Sequence, residues 1–181
     1  GGIRALAGAL RPHQWLKNLL VFTTPVAAHD ITASTLAPTL LAFLVLCLLA
    51  SSTYLINDLL DLPHDRAHPR KAARPIARGA VTIQSALMAA GVLGVSGLGL
   101  ALTVLPAAFL GVAGVYVATT LLYSLVLKRI FVLDVFILAG LYALRVFAGA
   151  VVTATAISPW LLAFTILLFL ALALVKRLTE L

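Results

Sequence analysis

From Leu36 to Asn57 the chain carries no charged side chain. Largely apolar runs recur along it, most of them about as long as the 20 residues an α-helix needs to cross a bilayer. Candidate membrane segments run from Leu16 to Ala28, Leu36 to Asn57, Ile83 to Leu105, Ala107 to Leu127, Val132 to Thr153 and Pro159 to Val175. Of the 181 residues 62% are hydrophobic and 10% charged, too little polar surface for a soluble domain. The ten-residue alternation of a membrane β-barrel does not occur. The expected fold class is therefore all-α, a polytopic transmembrane bundle forming one domain over residues 1–181. The first segment is short and contains Pro25, so it reads as a kinked or re-entrant helix.

Charge then orders the segments. If all six span, every one of the 13 Lys and Arg except Arg145 lies on one side. The opposite loops hold His29-Asp30, TVLP and TATAISP. The positive-inside rule assigns the basic side to the cytoplasm. Glycines at 91, 94, 97 and 99, and at 111 and 114, suggest close helix approach, without a chemical role. The single cysteine, Cys47, cannot form an internal disulfide and reads as a packing residue. The start at Gly1 and the stop at KRLTEL suggest a chain cut at both ends.

The polar residues gather where the second segment ends, at NDLLDLPHDRAHPRK. Asp58, Asp61 and Asp65 are spaced to fall within roughly 60° on a continuous helix, with Asn57 beside them. Clustered carboxylates repel, and a hard divalent cation such as Mg²⁺ relieves that repulsion, with substrate phosphates completing its shell. Acidic groups at a membrane helix end are costly and tend to be functional. Pro63 leaves open whether Asp65 shares the helix face or follows on a turn. Arg66, Arg70, Lys71, Arg74 and Arg78 come directly after, in a loop stiffened by Pro69 and Pro75. They suit anchoring to anionic lipid and equally a highly phosphorylated substrate.

Three further groups lie at the same rim. Tyr123, Lys128 and Asp134 flank one helix pair, and Arg145 lies about 16 Å further along, on nearly the same face as Asp134. Arg145 suits either a structural contact or substrate binding. In RPHQWLKN, Trp15 fits the membrane interface, while Lys17 and Asn18 can reach the aspartate pocket. His13, His64 and His68 form no convincing zinc set.

NDLLDLPHD fits NDxxDxxxD, the first aspartate motif of the UbiA superfamily of intramembrane prenyltransferases. With RPHQWLKN, YSLVLK, LRVFAGA and VKRLTEL, the chain resembles the branch that includes decaprenyl-phosphate phosphoribosyltransferases and proteins fused to HAD-like domains. The resemblance implies nine helices around a central cavity, of which about six are present here. It implies Mg²⁺ held by Asn57, Asp58, Asp61 and Asp65, with Asp58, Asp61, Asp134 and Lys128 as catalytic groups. Lys17, Asn18, Arg66, Lys71, Arg74, Arg78, Tyr123 and Arg145 become substrate or phosphate ligands. The second family motif is often DxxxD; here Leu138 stands where its second acid would be.

The surplus of cations favours phosphoribosyl transfer from phosphoribosyl pyrophosphate to polyprenyl phosphate, since three phosphate groups must be held there. Prenyl transfer from a polyprenyl diphosphate to an aromatic or other acceptor is the alternative. A transporter and a non-catalytic scaffold are rivals from other classes. The expected partners are a polyprenyl lipid, a diphosphate donor and membrane lipids, with no nucleic acid. The expected location is the bacterial plasma membrane.

Overall fold

The computed structural model describes residues 2–126 and 131–178. Among these every regular element is helical: α1 Gly2–Ala9, a 3-10 helix Pro12–Phe22, α2 Thr23–Ala27, α3 Ala33–Leu60, α4 Leu62–Ala67, a 3-10 turn Lys71–Ala73, α5 Ile83–Val104, α6 Ala107–Leu125, α7 Phe131–Thr153 and α8 Pro159–Leu178. Four of them, α3, α5, α6 and α7, are long and apolar enough to cross a membrane. The described apolar stretch of α8, Pro159–Val175, is shorter.

The first segment is not one α-helix, as its proline suggested. Its eleven-residue 3-10 helix gives way to a short α-helix at Thr23. A 3-10 helix rises about 2.0 Å per residue against 1.5 Å for an α-helix. Residues 12–27 therefore reach close to the roughly 30 Å of a hydrocarbon core, where an α-helix of that length would stop near 24 Å.

α3 is the central helix. It packs against α5, α6, α7 and the 3-10 helix, and one core joins Val45, Leu46, Leu49, Phe109, Val112, Tyr116, Ala148 and Val152 to Val21. Its N-terminus is fixed by a Thr32/Thr35 capping box, which starts the helix ahead of the apolar run. Serines tie it sideways. Ser52 donates to the Ala90 carbonyl on α5, and Ser51 donates to the Leu10 carbonyl while accepting from Trp15 Nε1 at 3.0 Å. By contrast, α5 and α8 expose rows of large apolar side chains, among them Met88, Val92, Val95 and Leu102, then Trp160, Phe164 and Leu167. Those rows suit lipid or further protein.

The glycines divide unevenly. A Cβ at Gly94 or Gly97 would press on Ser52 or Leu49, so these two do let α5 approach α3. Gly91, Gly99, Gly111 and Gly114 have open space, and the expectation of close approach fails there. The tightest contact is at Gly149, where α7 lies directly on the Val21 carbonyl. Thr24 Oγ1 donates to the Val146 carbonyl beside it at 2.9 Å.

Candidate functional site

Pro63 does not separate the aspartates. The helix pauses for one residue at Asp61 and resumes as α4, with Pro63 in its first turn, where the missing N–H costs nothing. The Asp65 amide donates to the Asp61 carbonyl across the joint at 2.8 Å. Asp58 and Asp65 are thereby both buried at 2% exposure, while Asp61 is half-buried.

Two arginines close over these carboxylates. Arg74 Nη1 donates to Asp65 Oδ2 at 2.6 Å and to Asp58 Oδ1 at 3.2 Å. Arg11 Nη2 donates to Asp58 Oδ1 at 2.5 Å, with its guanidinium 5.2 Å above the Tyr54 ring. Arg74 is held in place by its own loop, because Ile76, Ala77 and Val81 are buried in a second core with Ala9, Leu55, Leu62, Ala86 and Ala90. Arg11 precedes Pro12 and adopts left-handed backbone geometry, φ 53 and ψ 58. For a residue other than glycine that costs about 1 kcal/mol.

Sequence reasoning gave Arg11 no role at this site. Its available signal was RP ahead of WLKN, since the residue before proline is kept out of ordinary helix. Its acidic partner, however, is 47 positions away.

A second cluster surrounds Arg145. Arg145 is buried, and its Nε donates to Asn18 Oδ1 at 2.8 Å. Its Nη1 donates to the Leu141 carbonyl and its Nη2 to the Tyr116 hydroxyl at 3.4 Å. The guanidinium lies 5.1 Å from the Tyr116 ring centre and 5.7 Å from that of Tyr142. Lys17 Nζ is 5.9 Å from the Tyr142 ring centre, and Tyr142 stacks on Phe169. Lys17, Tyr54, Tyr116, Thr120, Leu138, Leu141, Tyr142 and Arg145 enclose a cavity of about 60 Å³. Every partner of Arg145 among the described residues is neutral. Asn18 thus serves by holding Arg145 and by donating to Cys47 Sγ at 3.3 Å.

At the junction of α6 and α7, the Tyr123 hydroxyl donates to Asp134 Oδ1 at 2.5 Å, so those two candidates do meet. Lys128 lies outside the described residues. Of the loop cations, Arg66 and Lys71 are exposed, and Arg66 Nε donates to the Ala77 carbonyl at 3.3 Å. Arg78 turns elsewhere, lining a cleft of about 550 Å³ with Arg4, Ala5 and Ala80.

The donor set suits a hard cation that keeps ligands of its own. Asn57 Oδ1 is buried without a hydrogen-bond partner, beside three carboxylates on one helix end. Among the described residues no three acidic, histidine or cysteine groups converge into a ready-made cage. A cation held here would have to take the rest of its shell from water and phosphate, as Mg²⁺ can.

The profile of the UbiA prenyltransferase family matches residues 19–180. The chain belongs to that family. It is 41% identical over 99% of its length to a decaprenyl-phosphate phosphoribosyltransferase of Mycolicibacterium smegmatis, covering 58% of that protein. It is 43% identical over 94% of its length to the uncharacterized protein y4nM of Sinorhizobium fredii, covering 33% of it. The chain therefore spans only part of the curated relatives it matches. A UbiA homolog from Archaeoglobus fulgidus, solved bound to DMAPP and Mg²⁺, superposes with a TM-score of 0.73 at 21% identity, over 89% of this chain and 58% of that one. That likeness carries the bundle architecture.

Proposed function

We propose that this chain forms the donor-binding part of a Mg²⁺-dependent transferase that moves a phosphoribosyl group from phosphoribosyl pyrophosphate to a polyprenyl phosphate. The observation that carries the choice of substrates is the second cation cluster. Arg145 and Lys17 flank a tyrosine-lined cavity that meets the Arg11 pair only through Tyr54 among its lining residues, and among the described residues Arg145 has neutral partners. A prenyl diphosphate with a neutral acceptor needs one anion site, whereas a phosphorylated donor and a phosphorylated lipid need two. The phosphoribosyltransferase relatives support the same choice.

Asn57, Asp58, Asp61 and Asp65 would hold Mg²⁺, which when bound supplies positive charge for the departing diphosphate. Arg74, Lys71 and Arg66 grip the donor's phosphates. Asp134, steadied by the Tyr123 hydroxyl, orients the sugar. Arg145 and Lys17 take the acceptor phosphate. In the reaction the bond from C1 of the ribose to diphosphate breaks, and a bond from C1 to a lipid phosphate oxygen forms. Because that oxygen is already anionic, no general base is required, and the protein's work is positioning and charge neutralisation. By the positive-inside rule the basic rim supports a cytoplasmic site for this chemistry, and the membrane we propose for it is a bacterial plasma membrane.

The test is a donor assay on the full-length protein in lipid nanodiscs with Mg²⁺. Phosphoribosyl pyrophosphate and polyprenyl diphosphate are offered with polyprenyl phosphate and aromatic acids as competing acceptors, and the lipids are read by mass spectrometry. A phosphoribosylated polyprenyl phosphate is expected. A prenylated aromatic product would move the assignment to prenyl transfer. Turnover of neither donor would end the transferase reading, and solute flux in liposomes would replace it with a transporter.

A further inference from the structure

Asp58 and Asp65 are compensated in this structure by Arg11 and Arg74. The two buried carboxylates, Asp58 and Asp65, thus each have a guanidinium partner. A bare divalent cation taking those carboxylates competes with the guanidiniums for the same negative charge. They would then lie beside a new double positive charge with no anion to receive them. A cation that arrives together with diphosphate brings that anion, and guanidinium binds phosphate oxygens in a two-pronged fork.

Arg11 is well placed to change partners. Its side chain is 21% exposed, it lies over the face of Tyr54, and its left-handed backbone falls between α1 and the 3-10 helix. Arg74 is similarly exposed, at 27%.

We infer that Arg11 and Arg74 are exchangeable counter-ions, passed from Asp58 and Asp65 to the phosphates of the donor, and that the divalent cation consequently enters as its diphosphate complex and not alone. The inference rests on the Mg²⁺–diphosphate reading of the site. It adds a role for Arg11 and an order of binding.

The test is equilibrium dialysis of radiolabelled Mn²⁺, standing in for Mg²⁺, against the full-length protein in nanodiscs, with and without inorganic pyrophosphate. Wild type should retain Mn²⁺ at least tenfold more tightly when pyrophosphate is present. Arg11→Gln should bind Mn²⁺ alone at least tenfold more tightly than wild type, and should lose most of the enhancement by pyrophosphate. Equal retention of Mn²⁺ by wild type with and without pyrophosphate overturns the inference while leaving the metal site standing. So does an Arg11→Gln protein whose affinity for Mn²⁺ alone is unchanged. Absence of Mn²⁺ retention under every condition overturns the underlying reading of the site as well. The wild-type comparison stands even if the variant does not fold.

Discussion

Arg74→Ala tests whether the acidic motif is built as a charge-balanced unit. One nitrogen of Arg74 serves both Asp58 and Asp65, at 3.2 Å and 2.6 Å. Without it Asp58 still has Arg11, while Asp65, 2% exposed, loses the partner that neutralises it. Removing one member of a buried pair costs about 3–5 kcal/mol. Arg74 is 27% exposed, so water recovers part of that, and the expected loss is about 2–3 kcal/mol. Adding Asp65→Asn removes the uncompensated charge and should return at least about 1.5 kcal/mol of the loss. Arg74→Lys should retain most of the stability, since both contacts come from a single nitrogen that an ammonium can mimic, yet weaken donor binding, where the planar fork matters. Denaturant titrations of the micelle-solubilised protein would measure all of these. If Arg74→Ala and Asp65→Asn prove additive within about 0.5 kcal/mol, the two side chains do not act as a pair and the reasoning fails.

Other positions give independent checks. Gly149→Ala should cost about 1–3 kcal/mol, because a methyl there collides with the Val21 backbone, while Gly111→Ala should be nearly neutral; thermal unfolding compares the two. Arg145→Met should lower kcat/KM for a phosphorylated acceptor by about 10- to 100-fold through lost charged hydrogen bonds, with the KM of the donor little changed. Tyr123→Phe removes the donor to Asp134 and should cost about tenfold in turnover, with no further loss when combined with Asp134→Asn; steady-state kinetics of the two single variants and the double variant would show it.

Much of the fold was legible because lipid imposes a simple rule on sequence. The expected spans at Ile83, Ala107 and Val132 begin within a residue of the helices observed. The span expected from Leu36 begins three residues early in the structure, at Ala33, because a polar capping box starts the helix before its apolar run does. The aspartates could be found for the same reason, since acid at the end of such a helix is rare. The first segment was harder to read. A 3-10 helix has no distinctive apolar period at this length, and its steeper rise makes so short a run longer than an α-helical reading allows. Glycine spacing also misled, because Gly149 and Gly111 look alike until the neighbour is known, and only Gly149 has a backbone against it.

The cations show what decides between anchor and ligand. Arg74 and Arg78 share one short loop, and by composition either serves an anionic lipid or a phosphorylated substrate equally well. Burial of Ile76 and Ala77 between them roots the loop against α3 and α5. That root leaves Arg74 over Asp58 and Asp65, and leaves Arg78 exposed in the cleft with Arg4. Arg11 and Arg4 divide in the same way, one paired with a buried carboxylate and the other exposed. A count of positive charge therefore predicts which face of the membrane this rim occupies. The apolar residues between the charges, and the acids they bring within reach, determine which arginines can take part in chemistry.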